Sequence, residues 1–143
     1  MEHSFAPLIP GFNPLVGTAS WSDKTLLDCG KFYPPTAKTP EARLRFYASQ
    51  FNLVEVDTSY YAIPAVTTAQ HWAERTPPGF VFNVKAFSLF TGQWTSTDVL
   101  PKDIKEALGP GRRLVYKDMA AEFREELWKR FVACLVPLQV NGK

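Results

Sequence analysis

Two carboxylates stand in a stretch that is otherwise typical of a buried strand. The stretch is NLVEVDTSYY, residues 52–61, in which Glu55 and Asp57 alternate with valines. A buried acid without a partner is strongly unfavourable, because an apolar environment does not replace its hydration. Carboxylates serve as general bases, metal ligands or acceptors for a polar ligand. A compensating cation is therefore expected close by, whether the acids are structural or functional.

Lys85 is the candidate for that cation, in the stretch FVFNVKAF, residues 80–87. Side chains alternate along a strand, so Lys85 shares a face with Asn83, and Glu55 shares one with Asp57. If the two strands are neighbours, Glu55 and Lys85 point into the same interior and meet. We predict Glu55 and Lys85 as the catalytic pair, a base or ligand beside an anion clamp. A purely structural ion pair fits the sequence equally well.

Further polar and aromatic residues follow the predicted strand ends, where parallel α/β folds gather their functional groups. Asp57 could bind ligand or cap the following turn, and the tyrosines could supply a stacking wall or pack the loop. The predicted ligand-binding residues are Trp21, Ser20, Asp57, Thr58, Tyr60, Tyr61 and Asn83.

No metal site is predicted, because His3 and His71 are isolated and Cys29 and Cys134 lack metal-binding spacing. Dinucleotide, phosphate-loop and nucleophile-elbow motifs are also missing from the sequence, which leaves any cofactor unknown.

Hydrophobic periodicity predicts the elements that position these residues. An irregular arm, residues 1–14, is followed by alternating strands and helices, with long loops at 22–38 and 88–118. Strands separated by helices run parallel, so the fold class is α/β with about three parallel strands. The predicted strands are 15–21, 53–57 and 80–87, and the predicted helices are 39–51, 65–75 and 118–138. The last helix is capped by Asp118, and Pro137 and Gly142 end it.

Composition limits the classes of function. The chain has 143 residues, of which 45% are hydrophobic and 21% charged, which is typical of one globular domain. A net charge of +2 gives little support to nucleic-acid binding, although Trp21, Tyr60, Tyr61 and Trp94 could stack bases beside basic residues. The two distant cysteines and an N-terminus unlike a signal peptide predict a cytoplasmic protein.

Several blocks of the sequence, in order, resemble the YecE-like family, domain of unknown function 72. The blocks are VGTASWSDK, RFYASQFNLVEVDTSYYAIP, WAERTPPGFVFNVKAF and ELWKRFVACLVPL. The resemblance implies a TIM-barrel fold and no established reaction, and it carries over Trp21, Glu55, Tyr61 and Lys85 as site residues. Many members have glycine just before the tryptophan of the first block, where this chain has Ala19 and Ser20, and asparagine where it has Asp57.

A TIM barrel typically takes roughly 250 residues. The resemblance therefore implies that residues 15–143 are the N-terminal half of such a barrel, a partial barrel that ends before its next strand. An open strand edge invites association, so we expect a missing barrel half or self-association to complete it. The predicted function is binding of, or action on, a small sugar-like or phosphorylated ligand, with the isolated chain inactive. The alternative is a nucleic-acid-binding module.

Overall fold

The computed structural model describes Gly11 and residues 14–143. The predicted N-terminal arm, residues 1–14, therefore lies almost entirely outside the described residues. The elements of the described part are α1 (Lys24–Asp28), α2 (Pro40–Gln50), β1 (Leu53–Val56), α3 (Thr58–Tyr61), α4 (Val66–Glu74), β2 (Val81–Val84), β3 (Trp94–Ser96), α5 (Lys102–Leu108), β4 (Arg113–Val115) and α6 (Ala121–Val140), with 3-10 turns at Ser88–Thr91, Thr97–Val99 and Tyr116–Asp118.

The strands β1 and β2 pair in parallel, with Glu55 aligned to Asn83 and Val56 to Val84. Helix α4 forms the crossover between them, as the βαβ rule requires. The valines Val54 and Val56 are buried on the helical side, whereas Glu55 is partly exposed on the other side. The prediction of an α/β chain with parallel pairing is confirmed for these two strands.

The predicted first strand, residues 15–21, is not a regular strand but an extended segment joined to β1 by a single bridge. Ala19 aligns with Glu55, whose N–H donates to Thr18 O at 3.1 Å. One residue before Ala19, the Thr18 N–H donates to the Tyr47 hydroxyl at 2.7 Å and not to a backbone carbonyl of a neighbouring strand. The ladder therefore stays short because side chains take the backbone groups that a strand would use.

Gly17 lets this segment approach β1. A Cβ atom at this position would lie 1.9 Å from the Leu53 carbonyl oxygen, inside any permitted contact. At the far end, Ser20 adopts a left-handed conformation with φ of 69°, which few residues other than glycine tolerate. The segment is thus held against β1 at Gly17 and turned away from it at Ser20.

The predicted loop at 88–118 contains two strands that the sequence did not reveal. Strands β3 and β4 pair antiparallel, with Trp94 opposite Val115 and Ser96 opposite Arg113. Strands of three residues are too short to show alternation, and α5 separates these two in the sequence. Helix α5 also lies within this segment, with Pro101 at its N-cap position.

Helix α6 differs from its prediction at both ends. Asp118 lies in a 3-10 turn and is not its cap; the helix begins at Ala121 after Ala120. Pro137 does not end it. The helix continues to Val140, and the predicted stop at Gly142 follows two residues later with a left-handed φ of 64°. Leu138 is 5% exposed, so burial of this last turn offsets the hydrogen bond that a proline cannot donate. Helix α2 begins as predicted, with Thr39 accepting from Ala42 N–H.

Two apolar cores hold the elements together. The first joins α2, β1, α4 and β2, and includes the fully buried Tyr47 and Val54. The second joins the turn at Ser88–Thr91, α5 and α6, and includes Phe87 and Leu127. Helix α6 packs along α4 and so ties the two cores together. Within the described residues, every helix is too short or too polar to cross a bilayer.

Candidate functional site

Lys85 meets both predicted carboxylates at the carboxyl ends of β1 and β2. Its ammonium donates a hydrogen bond to Asp57 at 2.9 Å and lies 3.9 Å from the nearer oxygen of Glu55. The hydrogen bond to Asp57, with the charges of Asp57 and Glu55, raises the pKa of Lys85 above its usual 10.5. Lys85 is therefore a cation at neutral pH, with Asp57 as its closer partner.

The cluster lies on an open surface and not in an enclosed interior. The side chains are 46% exposed for Lys85, 40% for Glu55 and 31% for Asp57. Water can therefore screen the ion pairs and can be displaced by a ligand. Two carboxylates face one ammonium, so the local charge is −1.

Asp57 directs its carboxylate to Lys85 and does not cap the next helix. It stands at the N-cap position of α3, but its side chain forms no capping hydrogen bond. The strand β1 ends at Val56 because the chain turns at Asp57 into this short helix. Of the two roles that the sequence left open for Asp57, capping is not observed, and binding of a ligand stays a prediction.

Ser59, which is not among the predicted site residues, joins the ends of the two strands. Its hydroxyl is buried and lies 2.7 Å from Val56 O and 2.6 Å from Lys85 O. It thereby fixes the distance between the strand ends that carry Asp57 and Lys85. A serine three residues after the end of an apolar strand is the signal that could have indicated it.

The aromatic candidates divide into exposed and packed side chains. The ring centroid of Tyr60 lies 5.7 Å from the Lys85 ammonium. Tyr61 is 67% exposed, and its ring packs edge-on against the ring of Tyr60. Trp21 instead packs edge-on against Trp72 and Phe82 in the first core. The two tyrosines border the charged cluster, whereas Trp21 chiefly supports the fold beneath it.

The remaining predicted residues surround the cluster. Asn83 is exposed on β2 in register with Glu55, and Thr58 is exposed on α3. Ser20 N–H donates to Glu55 O at 2.9 Å. Ser20 also borders an open cavity of about 330 Å³, whose other lining residues are Thr18, Ala19, Asp23, Thr25, Leu26 and Cys29. Of its lining residues, Ala19 is bridged to Glu55.

In the part of the chain that the structure describes, no three His, Cys, Asp or Glu side chains lie together in a way that could hold an ion. The strand ends themselves carry carboxylates, one ammonium, an amide, hydroxyls and aromatic rings.

Comparison with known proteins gives a consistent set of relatives. Residues 15–143 match the family described as "Protein of unknown function DUF72". The UPF0759 protein YunF of Bacillus subtilis (strain 168) is 33% identical over 93 residues, which cover 65% of this chain and 30% of that protein. A crystal structure of a DUF72 family protein from Enterococcus faecalis V583 is 28% identical, with a TM-score of 0.48, and covers 70% of this chain and 32% of that one.

The chain thus spans about a third of the length of these relatives. Its family match nonetheless begins at Leu15 and runs to Lys143, through the extended segment, both parallel strands and α6. This protein belongs to the DUF72 family of proteins of unknown function.

Proposed function

We propose that the strand ends carrying Lys85, Asp57 and Glu55 bind a small hydroxyl-rich, sugar-like ligand. The observation that carries this proposal is the incomplete pairing of the cluster. An ammonium has three donors, and within the described residues Lys85 uses one of them on a side chain, Asp57. Glu55 stays 3.9 Å away, beyond hydrogen-bond distance. Donors and acceptors are thus left for a ligand.

The charge of the cluster favours a neutral hydroxylated ligand over a phosphorylated one. Phosphate sites normally supply excess positive charge from arginine, lysine or a helix N-terminus. Here two carboxylates outnumber the one ammonium, so a phosphate would meet net repulsion. Carboxylates accept hydrogen bonds from hydroxyl groups, and the rings of Tyr60 and Tyr61 offer apolar faces for the carbon side of a sugar.

Glu55 is the group best placed to accept a proton from a bound hydroxyl. Asp57 is occupied by Lys85, whereas the Glu55 carboxylate has no such direct bond. Lys85 is protonated at neutral pH, since its pKa is raised, and a protonated amine is not a nucleophile. In this proposal Lys85 orients Asp57 and contacts the ligand as a cation.

We further propose that residues 15–143 form the N-terminal part of a larger TIM barrel, as the family resemblance implies. In support, parallel strands joined by a helical crossover are the repeating unit of such a barrel, and the relatives are about three times as long as the matched segment. Other strands would then enclose the cluster and complete the ligand site. The chain alone would bind its ligand weakly and be inactive.

The test is a titration of the whole chain with neutral monosaccharides and with sugar phosphates, followed through backbone amide shifts. We expect millimolar binding of neutral sugars, with shifts at Ser20, Asp57 and Lys85. Glu55→Gln should weaken binding roughly tenfold, the loss of one charged hydrogen bond, with an unchanged unfolding temperature. Glu74→Gln, an exposed change on α4, is the matched control and should bind normally.

Two outcomes would contradict the proposal. If Glu55→Gln lowers the unfolding temperature as much as it weakens binding, the cluster is a structural ion pair. If phosphates bind and neutral sugars do not, Lys85 acts as an anion clamp and the charge argument is wrong.

A second candidate, nucleic-acid binding, is favoured by one observation. Trp94 is 53% exposed, and the Arg113 guanidinium lies 4.4 Å from its ring centroid, a combination that can stack a base. Nearby charge is partly cancelled, because Lys105 pairs with Asp98 at 2.9 Å. Binding of a single-stranded oligonucleotide that falls steeply with salt would support this candidate, and no binding at low salt would remove it.

A further inference from the structure

Three side chains surround the ammonium of Lys85, and they differ in how directly they contact it. Asp57 accepts a hydrogen bond from it at 2.9 Å. The ring centroid of Tyr60 lies 5.7 Å away, within the range of a cation–π interaction. Glu55 lies 3.9 Å away, too far for a hydrogen bond. Asp57 is therefore the group that most directly shields the positive charge of Lys85 from an approaching anion.

The two carboxylates of the cluster are thus not equivalent. The pKa of Lys85 is raised first by the hydrogen bond to Asp57 and then by the charge of Asp57, whereas the charge of Glu55 contributes less. The interaction between two charges weakens with distance, and water screens the more distant pair further because both side chains are partly exposed. Removing the charge of Asp57 should therefore change the site more than removing that of Glu55.

We propose that Asp57 determines the specificity of this site, because its negative charge keeps phosphorylated and other anionic ligands away from Lys85. An anion that accepted from a free donor of Lys85 would share the ammonium with Asp57, so the two negative groups would lie close together. A neutral hydroxyl group in the same position meets no such repulsion. This inference rests on the proposed function and adds which of the two carboxylates selects the class of ligand.

The charge of Asp57 can be removed without removing a support of the fold. Asp57 stands at the N-cap position of α3, but its side chain forms no capping hydrogen bond. The strand ends are held together by Ser59, whose hydroxyl contacts Val56 O and Lys85 O. Asparagine has the shape of aspartate, and its carbonyl oxygen can accept the same hydrogen bond from Lys85. Asp57→Asn therefore removes the charge and keeps the contact.

The test is a titration of the full chain with inorganic phosphate at neutral pH and constant ionic strength, followed through the backbone amide shifts of Asn83 and Lys85. Asp57→Asn should bind phosphate roughly tenfold more tightly than the wild type, because the Asp57 charge no longer opposes the attraction to Lys85. Asp28→Asn removes the same charge from a carboxylate that is 65% exposed on α1. It is the matched control and should bind phosphate as weakly as the wild type.

Further variants identify the groups responsible for the change. Glu55→Gln should strengthen phosphate binding by about twofold only, because Glu55 makes no direct bond to Lys85. Lys85→Met combined with Asp57→Asn should lose the gain, because the cation that attracts phosphate is then missing. Asp57→Ser, a second neutral replacement, should give a gain of the same kind as Asp57→Asn. Thermal unfolding establishes that each variant is folded.

Equal gains from Glu55→Gln and Asp57→Asn would overturn the inference, since the total charge of the cluster would then exclude anions. The absence of a gain in Asp57→Asn, or a gain that survives the loss of Lys85, would overturn it as well. Titration of the wild type with neutral sugars reports on the proposed function separately. A gain of phosphate binding in Asp57→Asn, with no sugar binding by the wild type, would refute the sugar ligand and support the role of Asp57.

Discussion

Two clusters in this molecule have the same balance of charges but differ in how completely their charged groups are hydrogen-bonded. Each places one cation between two carboxylates, Lys85 at the strand ends and Arg130 on α6. Arg130 donates to both oxygens of Asp103 at 2.8 and 2.6 Å, and its Nε donates to Glu126 at 2.7 Å. Lys85 makes one such bond, at 2.9 Å to Asp57.

The difference shows that pairing geometry, more than charge count, separates a structural cluster from a candidate site. The planar guanidinium matches a carboxylate in two places and joins α5 to α6. This hydrogen bonding lowers the pKa of Asp103 to about 2. The ammonium of Lys85 is a point charge with donors to spare, so its cluster can accept a ligand without first breaking its own contacts.

The largest expected effect comes from Gly17→Ala. This change disrupts the packing of the extended segment against β1, which carries Glu55 of the Lys85 cluster, and does not touch the Arg130 cluster. The new methyl group would collide with the Leu53 carbonyl and force the extended segment away from β1. We expect a loss of about 2–4 kcal/mol in the free energy of unfolding, as for other overpacked sites. Denaturant titration measures this loss.

Hydrogen exchange shows where the damage lies. The amides of Ser20 and Glu55 should exchange faster in Gly17→Ala, while those of α6 stay protected. Leu15→Ala, a change at a residue 52% exposed, is the control and should leave both regions unchanged. Uniform loss of protection would mean that the two regions are not independent.

A smaller effect is expected from Arg130→Lys, which keeps the positive charge and removes the planar guanidinium that donates to both oxygens of Asp103. The lysine cannot bond both oxygens of Asp103 together with Glu126, so the unfolding temperature should fall by about 2–5 °C. Lys85→Met should change it by less, about 1 °C, because its pairs are exposed and screened. Thermal unfolding of both variants tests the contrast, and a larger loss from Lys85→Met would reverse our assignment.

The smallest effect is the dependence of stability on pH. The contribution of the Arg130 cluster should change in acid, and that of Lys85 should change in alkali. The pKa of Asp103 is lowered from 3.8 to about 2, so its contribution is complete above pH 3.8 and lost as pH falls through about 2. The pKa of Lys85 is raised above 10.5, so its contribution is complete below that pH and lost at more alkaline pH.

Unfolding temperatures of the wild type, Asp103→Asn and Lys85→Met across pH measure both contributions. The Asp103→Asn difference should vanish near pH 2, and the Lys85→Met difference should vanish in strong alkali, where Lys85 loses its proton. A Lys85→Met difference that persists in strong alkali would show that Lys85 stabilises the fold through packing and not through its charge.

The sequence predicted the parts of the fold that local patterns encode. Alternation along residues 53–56 correctly placed Val54 and Val56 in the core, and the Thr39–Pro40 start of α2 was correct. It failed for the β3–β4 pair, because strands of three residues carry no readable period. It also failed at Pro137, where burial of Leu138 outweighs the local signal to stop.

For the candidate site, the sequence by itself determined which charged side chains share a face, since the period of a strand is a local property. It indicated that Lys85 could meet Glu55, and membership of the DUF72 family was already visible in the ordered blocks. Only the tertiary structure decided that Asp57 is the nearer partner, that Ser59 ties the strand ends and that Arg130 holds a second cluster. Those facts depend on the distance between residues far apart in the chain, which packing sets and no local pattern records.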